Sequence, residues 1–347
     1  MDKLHSWRLR ALMQSRLMWP VMALIGLLLF NLLCTPNFFH LEARDGHLYG
    51  SLIDILKHGS QVMLLAIGMT LVIAIGGVDL SVGAVMAITG AIAVQMVAHG
   101  FPLSVALIAA LGVGTLLGAW NGLLVGYLRM QPIVATLVLM VAGRGIAQLV
   151  TDGSIITFTS TPAFAWFDYL GNGYVGGLPV PIWIVIGLLA ATALATRKTA
   201  MGLFIEAVGD NENACRYVGL NPKSITFFVY MFAGLCAGVA GIIAASDIRC
   251  ADANHAGLTL ELDAILAVVL GGTALTGGRF TLVGSMVGAL VIQTLTTTLY
   301  MRNVSSDIAP LPKAIVILAI CLIHSPEFRT QLMQFSKNVP GMKWGNP

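Results

Sequence analysis

Long aliphatic runs broken by short polar or glycine-containing stretches dominate the chain. Their lengths predict helices that cross a membrane, since about 20 apolar residues span a bilayer core. The runs lie near residues 17 to 34, 60 to 75, 84 to 98, 103 to 127, 133 to 150, 180 to 196, 224 to 245, 263 to 276, 281 to 299 and 310 to 324. They predict an all-α polytopic membrane protein with about ten transmembrane helices. One long polar stretch interrupts the pattern, reading RKTAMGLFIEAVGDNENACRYVGLNPK from Arg197 to Lys223. Within it Asp210 is placed to cap a helix over Asn211 to Val218, Gly219 suits the left-handed C′ position, and Pro222 forbids continuation. A plain connector is the alternative, but a connector does not require a helix so well delimited. A docking site for another protein fits better, with apolar surface from Phe204, Ala207, Val208, Cys215, Tyr217 and Val218 and polar grips from Glu206, Asp210, Glu212 and Arg216.

Composition agrees with the pattern. Hydrophobic residues make up 57% of the 347 and charged residues only 10%, with a mean hydropathy of +0.86; soluble domains carry about 25% charged residues. The net charge of +3 comes from dispersed Lys and Arg, which leaves no basic face for nucleic acid. Placing the N-terminus inside puts most of the basic residues, from Lys3, Arg8 and Arg10 through Arg129, Arg197, Lys198, Arg216, Lys223 and Arg279 to Lys343, on the cytoplasmic side. Asp247, Asp252, Glu261 and Asp263 then fall in outer loops around Arg249. This orientation gives cytoplasmic tails at 1–16 and 325–347, a transmembrane domain at 17–324 and a cytoplasmic loop at 197–223. The basic start and the run from Val21 to Leu33 have the outline of a signal peptide, but the small residues cleavage requires are missing, and bulky Leu32 and Leu33 before Cys34 argue against a lipoprotein. An uncleaved first span is expected. The remaining cysteines, Cys215, Cys236, Cys250 and Cys321, form no CxxC pair and read as free thiols.

Glycine carries two further signals. Gly114, Gly118, Gly122 and Gly126 recur every four residues on one helix face, and Gly234/Gly238 and Gly284/Gly288 repeat the spacing, as expected where membrane helices pack closely. More telling, a Gly-Gly-x-x-Leu-Ser/Thr-x-Gly pattern occurs twice, at Gly76 to Gly83 and at Gly271 to Gly278. The glycines of the two copies, Gly76, Gly77, Gly83, Gly271, Gly272, Gly277 and Gly278, read as helix breaks, which in duplicated positions mark transport pathways. A duplicated tight turn is the alternative reading. Either way the duplication suggests an internal pseudo-repeat. Asp79 in the first break and Arg144 inside the fifth span are ionisable groups near or within the membrane, and with Asn121 and Gln148 they are candidates for lining a solute pathway. Asp79 could equally cap the following helix, and Arg144 could snorkel to the interface.

No HExxH, GxSxG or paired intramembrane carboxylate occurs, and the seven histidines are scattered, so neither catalytic residues nor a metal or other cofactor is expected. The absence of GxxxxGK followed by Ser or Thr means that any ATP hydrolysis must come from a partner. An ion-coupled secondary transporter of a small polar solute is the alternative class.

The loop segment IEAVGDNENACRYVGLNP resembles the cytoplasmic loop of ABC-superfamily sugar importer permeases of the ribose type. LLAIGMTLVIAIGGVDLSVGAVMAITG (64 to 90), QPIVATLVLMVAGRGIAQLVTDG (131 to 153) and LDAILAVVLGGTALTGGRF (262 to 280) are similar to other signature regions of that family. The likeness covers most of residues 52 to 300, and RDGHLYGSLIDIL (44 to 56) with SDIRCADANHAGLTLELDAILAVVLGG (246 to 272) narrows it to the galactofuranose type. Phe280 and Cys250 depart from the ribose-type pattern. The resemblance implies a homodimeric permease in the bacterial inner membrane, working with a cytoplasmic ABC ATPase and a periplasmic sugar-binding protein. It also implies that the loop couples to the ATPase through Glu206, Gly209, Asp210, Asn211, Arg216 and Gly219, and that the solute is a monosaccharide, with galactofuranose the leading expectation.

Overall fold

The computed structural model describes residues 17–44, 46–158, 161–305 and 308–324; the two tails read from sequence lie outside the described residues. The chain is mostly helical. In order it forms α1 (Met18–Cys34), a hairpin of β1 (Glu42–Arg44) and β2 (His47–Tyr49), α2 (Ser51–Ala74), α3 (Val82–Ala98), α4 (Leu103–Gly122) prolonged by a π-helical turn (Leu123–Tyr127), and α5 (Pro132–Val150). Then come β3 (Ile156–Thr157), α6 (Pro162–Asn172), β4 (Tyr174–Val175), β5 (Leu178–Pro179), α7 (Val180–Lys198), α8 (Met201–Asp210), α9 (Glu212–Tyr217) and α10 (Pro222–Asp247). β6 (Cys250–Ala251), α11 (Leu260–Leu270), α12 (Leu282–Met301) and α13 (Pro310–His324) complete it. The strand pairs are antiparallel, β1 with β2, β3 with β6 and β4 with β5.

Among the described residues six helices are long and apolar enough to cross a membrane by themselves, namely α2, α4 with its π turn, α5, α7, α10 and α12, while Met18–Cys34 and Val82–Ala98 are shorter apolar helices. The run expected at 60 to 75 begins nine residues earlier, at Ser51, because Lys57 and His58 find partners and need not stay in a loop. The run expected at 263 to 276 is helical only over Leu260–Leu270; Gly272 beyond it takes φ +87, which an α-helix cannot continue. Glu261 and Asp263 lie in the first turn of α11 and not in an outer loop, and Asp263 accepts from the Lys313 ammonium on α13 at 2.5 Å. α6 and α8 are helices the apolar runs did not announce.

α2 is the hub, buried almost continuously from Ser60 to Ala74 and packed by α10, α11, α12 and α7. Small residues allow this. Gly68 of α2 lies against Ala233 of α10, where an added Cβ would come within 2.9 Å of a backbone atom. Gly114, Gly118, Gly122 and Gly126 all face α10, with positions for a Cβ occupied by the backbone of Gly234, Tyr230, Phe227 and Lys223. Gly284 and Gly288 of α12 do the same against Gly271 and Ala267. Lipid offers no hydrophobic drive between helices, so close approach and buried hydrogen bonds must hold them. The bonds include Thr70 Oγ1 to Ser285 Oγ (2.7 Å) and Asn31 Nδ2 to Thr298 Oγ1 (2.8 Å).

Candidate functional site

The loop between α7 and α10 is a helical pair. α8 runs to Asp210, so Asp210 is the last residue of one helix and not the cap of the next; Asn211 is that cap, its side chain accepting the Ala214 N–H at 3.0 Å. The displacement by one residue follows from geometry, because Asn211 is extended (φ −156, ψ 98) as a cap must be. α9 closes with Leu220 N–H donating to the Cys215 carbonyl and Gly219 N–H to the Arg216 carbonyl, at 3.0 and 3.1 Å. With Gly219 at φ +84, this is the Schellman arrangement that glycine permits. Arg216 pairs with Glu212 one turn back, and Tyr217 and Val218 protrude, 91% and 74% exposed.

Both breaks meet this loop. Gly209, in the last turn of α8, has no space for a side chain, since a Cβ would overlap the Ala74 carbonyl oxygen and the Gly278 amide nitrogen. The same Ala74 carbonyl accepts the Gly278 N–H at 2.8 Å. A Cβ on Gly277 would lie 2.8 Å from the Gly76 nitrogen and 2.9 Å from the Gly209 carbonyl oxygen. Three glycines from three distant segments thus form one backbone joint: the end of α2, the turn after α11 and the loop helix. Gly76, Gly277 and Gly278 hold φ between +77 and +90, where a side chain would strain the backbone. Gly77 sits under the Tyr230 hydroxyl, and Gly271 against Gly284. Gly83 is a correction: it is no break but a helical residue in the first turn of α3, where a Cβ would run into Gly257 and Glu261.

Beyond the first break the chain is polar but closed. Asp79, 1% exposed, accepts from the Ser81 N–H (2.9 Å) and hydroxyl (2.6 Å), and Asn121 Nδ2 donates to Ser81 Oγ at 2.8 Å. The bond to the Ser81 amide, two residues on, is an Asx-type turn that leads the chain into α3. Asn121 Oδ1 is buried without a hydrogen-bond partner among the described residues. Arg144 and Gln148 lie elsewhere, on one face of α5, holding the 252–259 segment: Arg144 donates to the Ala256 carbonyl and Gln148 Nε2 to Asn254 Oδ1 at 2.7 Å. Among the described residues no hydrogen bond joins the two groups. That segment is ordered further by Asp252, which accepts the Asn254 and His255 N–H groups at 3.0 and 3.1 Å and pairs with His255 Nδ1 at 2.8 Å. Burial opposes its ionisation, but these bonds prevail and hold the Asp252 carboxyl below the usual range.

Sequence reasoning did not single out Ser81 as the link between Asp79 and Asn121, although it stands in the repeated pattern. Nor did it find Tyr230, whose hydroxyl donates to the Val78 carbonyl at 3.3 Å; a lone tyrosine in an apolar helix was the available signal. Glu206 lies in α8 on the wall of a cleft of about 660 Å³ with Arg197, Leu203 and Phe280.

The family described as branched-chain amino acid transport system / permease component matches residues 51–324. The chain is 52% identical to the galactofuranose transporter permease protein YtfT of Escherichia coli (strain K12), over 91% of this chain and 93% of that protein. It is 38% identical to the fructose import permease protein FruF of Bifidobacterium longum, over 92% and 90% of the two chains. With the ribose import permease protein RbsC of Escherichia coli (strain K12) the identity is 39%, over 88% and 92%. No solved structure gives a significant match.

Proposed function

The chain belongs to the permease-component family of branched-chain amino acid transport systems, and from that premise we propose that it is the membrane subunit of an ATP-driven ABC importer for a monosaccharide. Galactofuranose is the proposed sugar, because it is named for the relative with 52% identity. The chain is a multi-pass protein of the bacterial inner membrane. Its relatives are transport subunits, and the chain itself supplies a pathway, not catalysis. ATP hydrolysis comes from a separate cytoplasmic subunit, sugar from a periplasmic binding protein, and a second copy of the chain completes a homodimer. In this reading about ten helical segments traverse the membrane with both termini inside, and the two copies of the glycine pattern are the remnants of an internal repeat.

The observation that carries the mechanism is the joint of Gly209, Gly76 and Gly277. α9 presents exposed Tyr217 and Val218 beside the Arg216–Glu212 pair, a surface suited to an aromatic anchor in a partner's pocket. Movement of that partner on ATP binding displaces α8. Because Gly209 touches backbone on both sides, α8 cannot move without shifting the end of α2 and the turn after α11. The breaks then re-aim α3 and α12, and the Asp79–Ser81–Asn121 group, closed in this conformation, opens to the solute. Arg144 and Gln148 act at the other side by holding or releasing the 252–259 segment. The chemistry is hydrogen bonding to a neutral sugar throughout.

The test is reconstitution in liposomes with the ATPase and the sugar-binding protein. ATP-dependent uptake of galactofuranose above that of ribose and fructose is expected. Uptake that needs no ATPase and follows a proton or sodium gradient would instead make the chain an ion-coupled carrier.

A further inference from the structure

A polar cavity of about 510 Å³ opens beneath the loop, between the first break, the turn before α5 and the start of α10. Three cations reach it, Arg129, Arg216 and Lys223, against one carboxylate, Glu212. Glu212 is already engaged by Arg216; Arg129 and Lys223 have no ion pair among the described residues. The first turn of α10 also reaches it at Lys223, and that helix has no side-chain cap on its first amides; at α5 the lining residue is Pro132, which has no N–H to offer. Uncapped helix N-termini carry partial positive charge and free N–H groups that favour anions. Arg129 stands in the left-handed region at φ +55, a place where glycine would be free of strain.

We propose that this cavity is a cytoplasmic binding site for the phosphate group of a small soluble phosphate monoester. Arg129 and Lys223 are its charged walls and the first turn of α10 its source of amide donors. Guanidinium and helix amides together match a phosphate's planar pairs of oxygens better than they match a neutral sugar. Since the cavity wall includes Gly76 and Gly209, an occupant ties the loop to the turn before α5 and restrains the joint. Resting on the importer reading above, the ligand class is the product of an ATP-dependent phosphorylation of the imported sugar, and its effect is feedback inhibition.

Binding is read on the purified chain alone, in phosphatidylcholine nanodiscs titrated with inorganic phosphate and with a hexose 6-phosphate, so that failure of the importer assembly does not bear on it. Saturable binding that weakens about tenfold in Arg129→Gly, weakens with added salt and is absent for the unphosphorylated hexose is expected. Arg129→Gly suits the backbone and keeps the fold; Lys223→Gln serves as the second variant. In the assembled transporter, hexose 6-phosphate should slow ATP hydrolysis severalfold in the native chain and not in Arg129→Gly, with the basal rate unchanged. No saturable binding, or equal binding by both variants, overturns the site. Displacement of soluble phosphate by phosphatidylglycerol in the nanodisc assigns the cavity to a lipid headgroup and overturns the proposal. Loss of binding when the ATPase docks would give it to an acidic side chain of that partner, with the same result.

Discussion

The two ends of the bundle are held by opposite means. At the loop end the contact is backbone on backbone, Gly209 against Ala74 and Gly278, and Gly277 against Gly76, with no charge involved. At the other end charged side chains do the joining. Lys57 Nζ meets Asp247 Oδ1 and Asn172 Oδ1, each at 2.7 Å, Asn172 Nδ2 donates to Asp168 at 2.9 Å, and Arg249 Nε donates to Asp168 at 2.7 Å. His58 Nδ1 adds a second partner to Asp247 at 3.1 Å. The difference is mechanical. Bare backbones in contact meet a steep repulsive wall, so a displacement on one side is handed to the other. Long charged side chains can exchange partners and yield by degrees. On the importer reading proposed above, the loop end serves as the transmitting joint and the far end as a clamp on α2, α6 and α10.

Four experiments break or sharpen this contrast. The largest effect is expected from Gly209→Ala, whose new methyl has nowhere to go. Sugar-stimulated ATP hydrolysis and uptake should both fall by more than about tenfold, with unfolding free energy lowered by the roughly 1 to 3 kcal/mol that overpacking costs and helical content near native. Full transport in this variant would remove the joint from the mechanism. Asp247→Ala comes next, because it leaves Lys57, only 18% exposed, without its carboxylate. A loss of about 3 kcal/mol in unfolding free energy is expected, with coupling between ATP hydrolysis and uptake preserved; uncoupling without destabilisation would give the clamp a transmitting role too. Asn211→Ala removes the α9 cap and should cost about 1 kcal/mol, read as faster amide exchange confined to residues 212–218 and a weaker hold on the ATPase. The smallest effect concerns Asp252. Its folded pKa is depressed, so its contribution is fully present above the unfolded value, about 3.9, and is lost as pH falls through the lower folded value. Exchange protection of the Asn254 and His255 amides should persist below the unfolded value of about 3.9 and fade only as pH falls through the lower folded value, while the loop-end joint, carrying no titrating group, keeps its protection.

Much of this was legible in one dimension. Apolar runs announce most of the long helices, and the four-residue glycine spacing from Gly114 to Gly126 names the face that meets α10. The loop helix was legible because its stop signals are local: Gly219 and Pro222 act on backbone groups a few residues away, although its cap was read one residue early, at Asp210 instead of Asn211. What escaped is equally instructive. α8 is part apolar and part polar, a pattern that one sequence does not separate from loop. α2 was begun too late because Lys57 and His58 look like loop residues until Asp247, far along the chain, is brought beside them. Asp79 was read as facing solute or capping a helix, and its burial against Ser81 could not be anticipated without α4 and α10 around it.

Hydropathy, glycine spacing and local capping chemistry are properties of neighbouring residues, and they determined from the sequence alone that the chain crosses a membrane, packs tightly and carries a structured polar loop. That the two glycine breaks and Gly209 meet at one backbone joint, and that Arg129, Arg216 and Lys223 share one cavity, was decided only by the tertiary structure. Such contacts join segments far apart in the chain, and their existence depends on how α2, α10 and α11 are stacked, a global balance of close packing that no local pattern encodes.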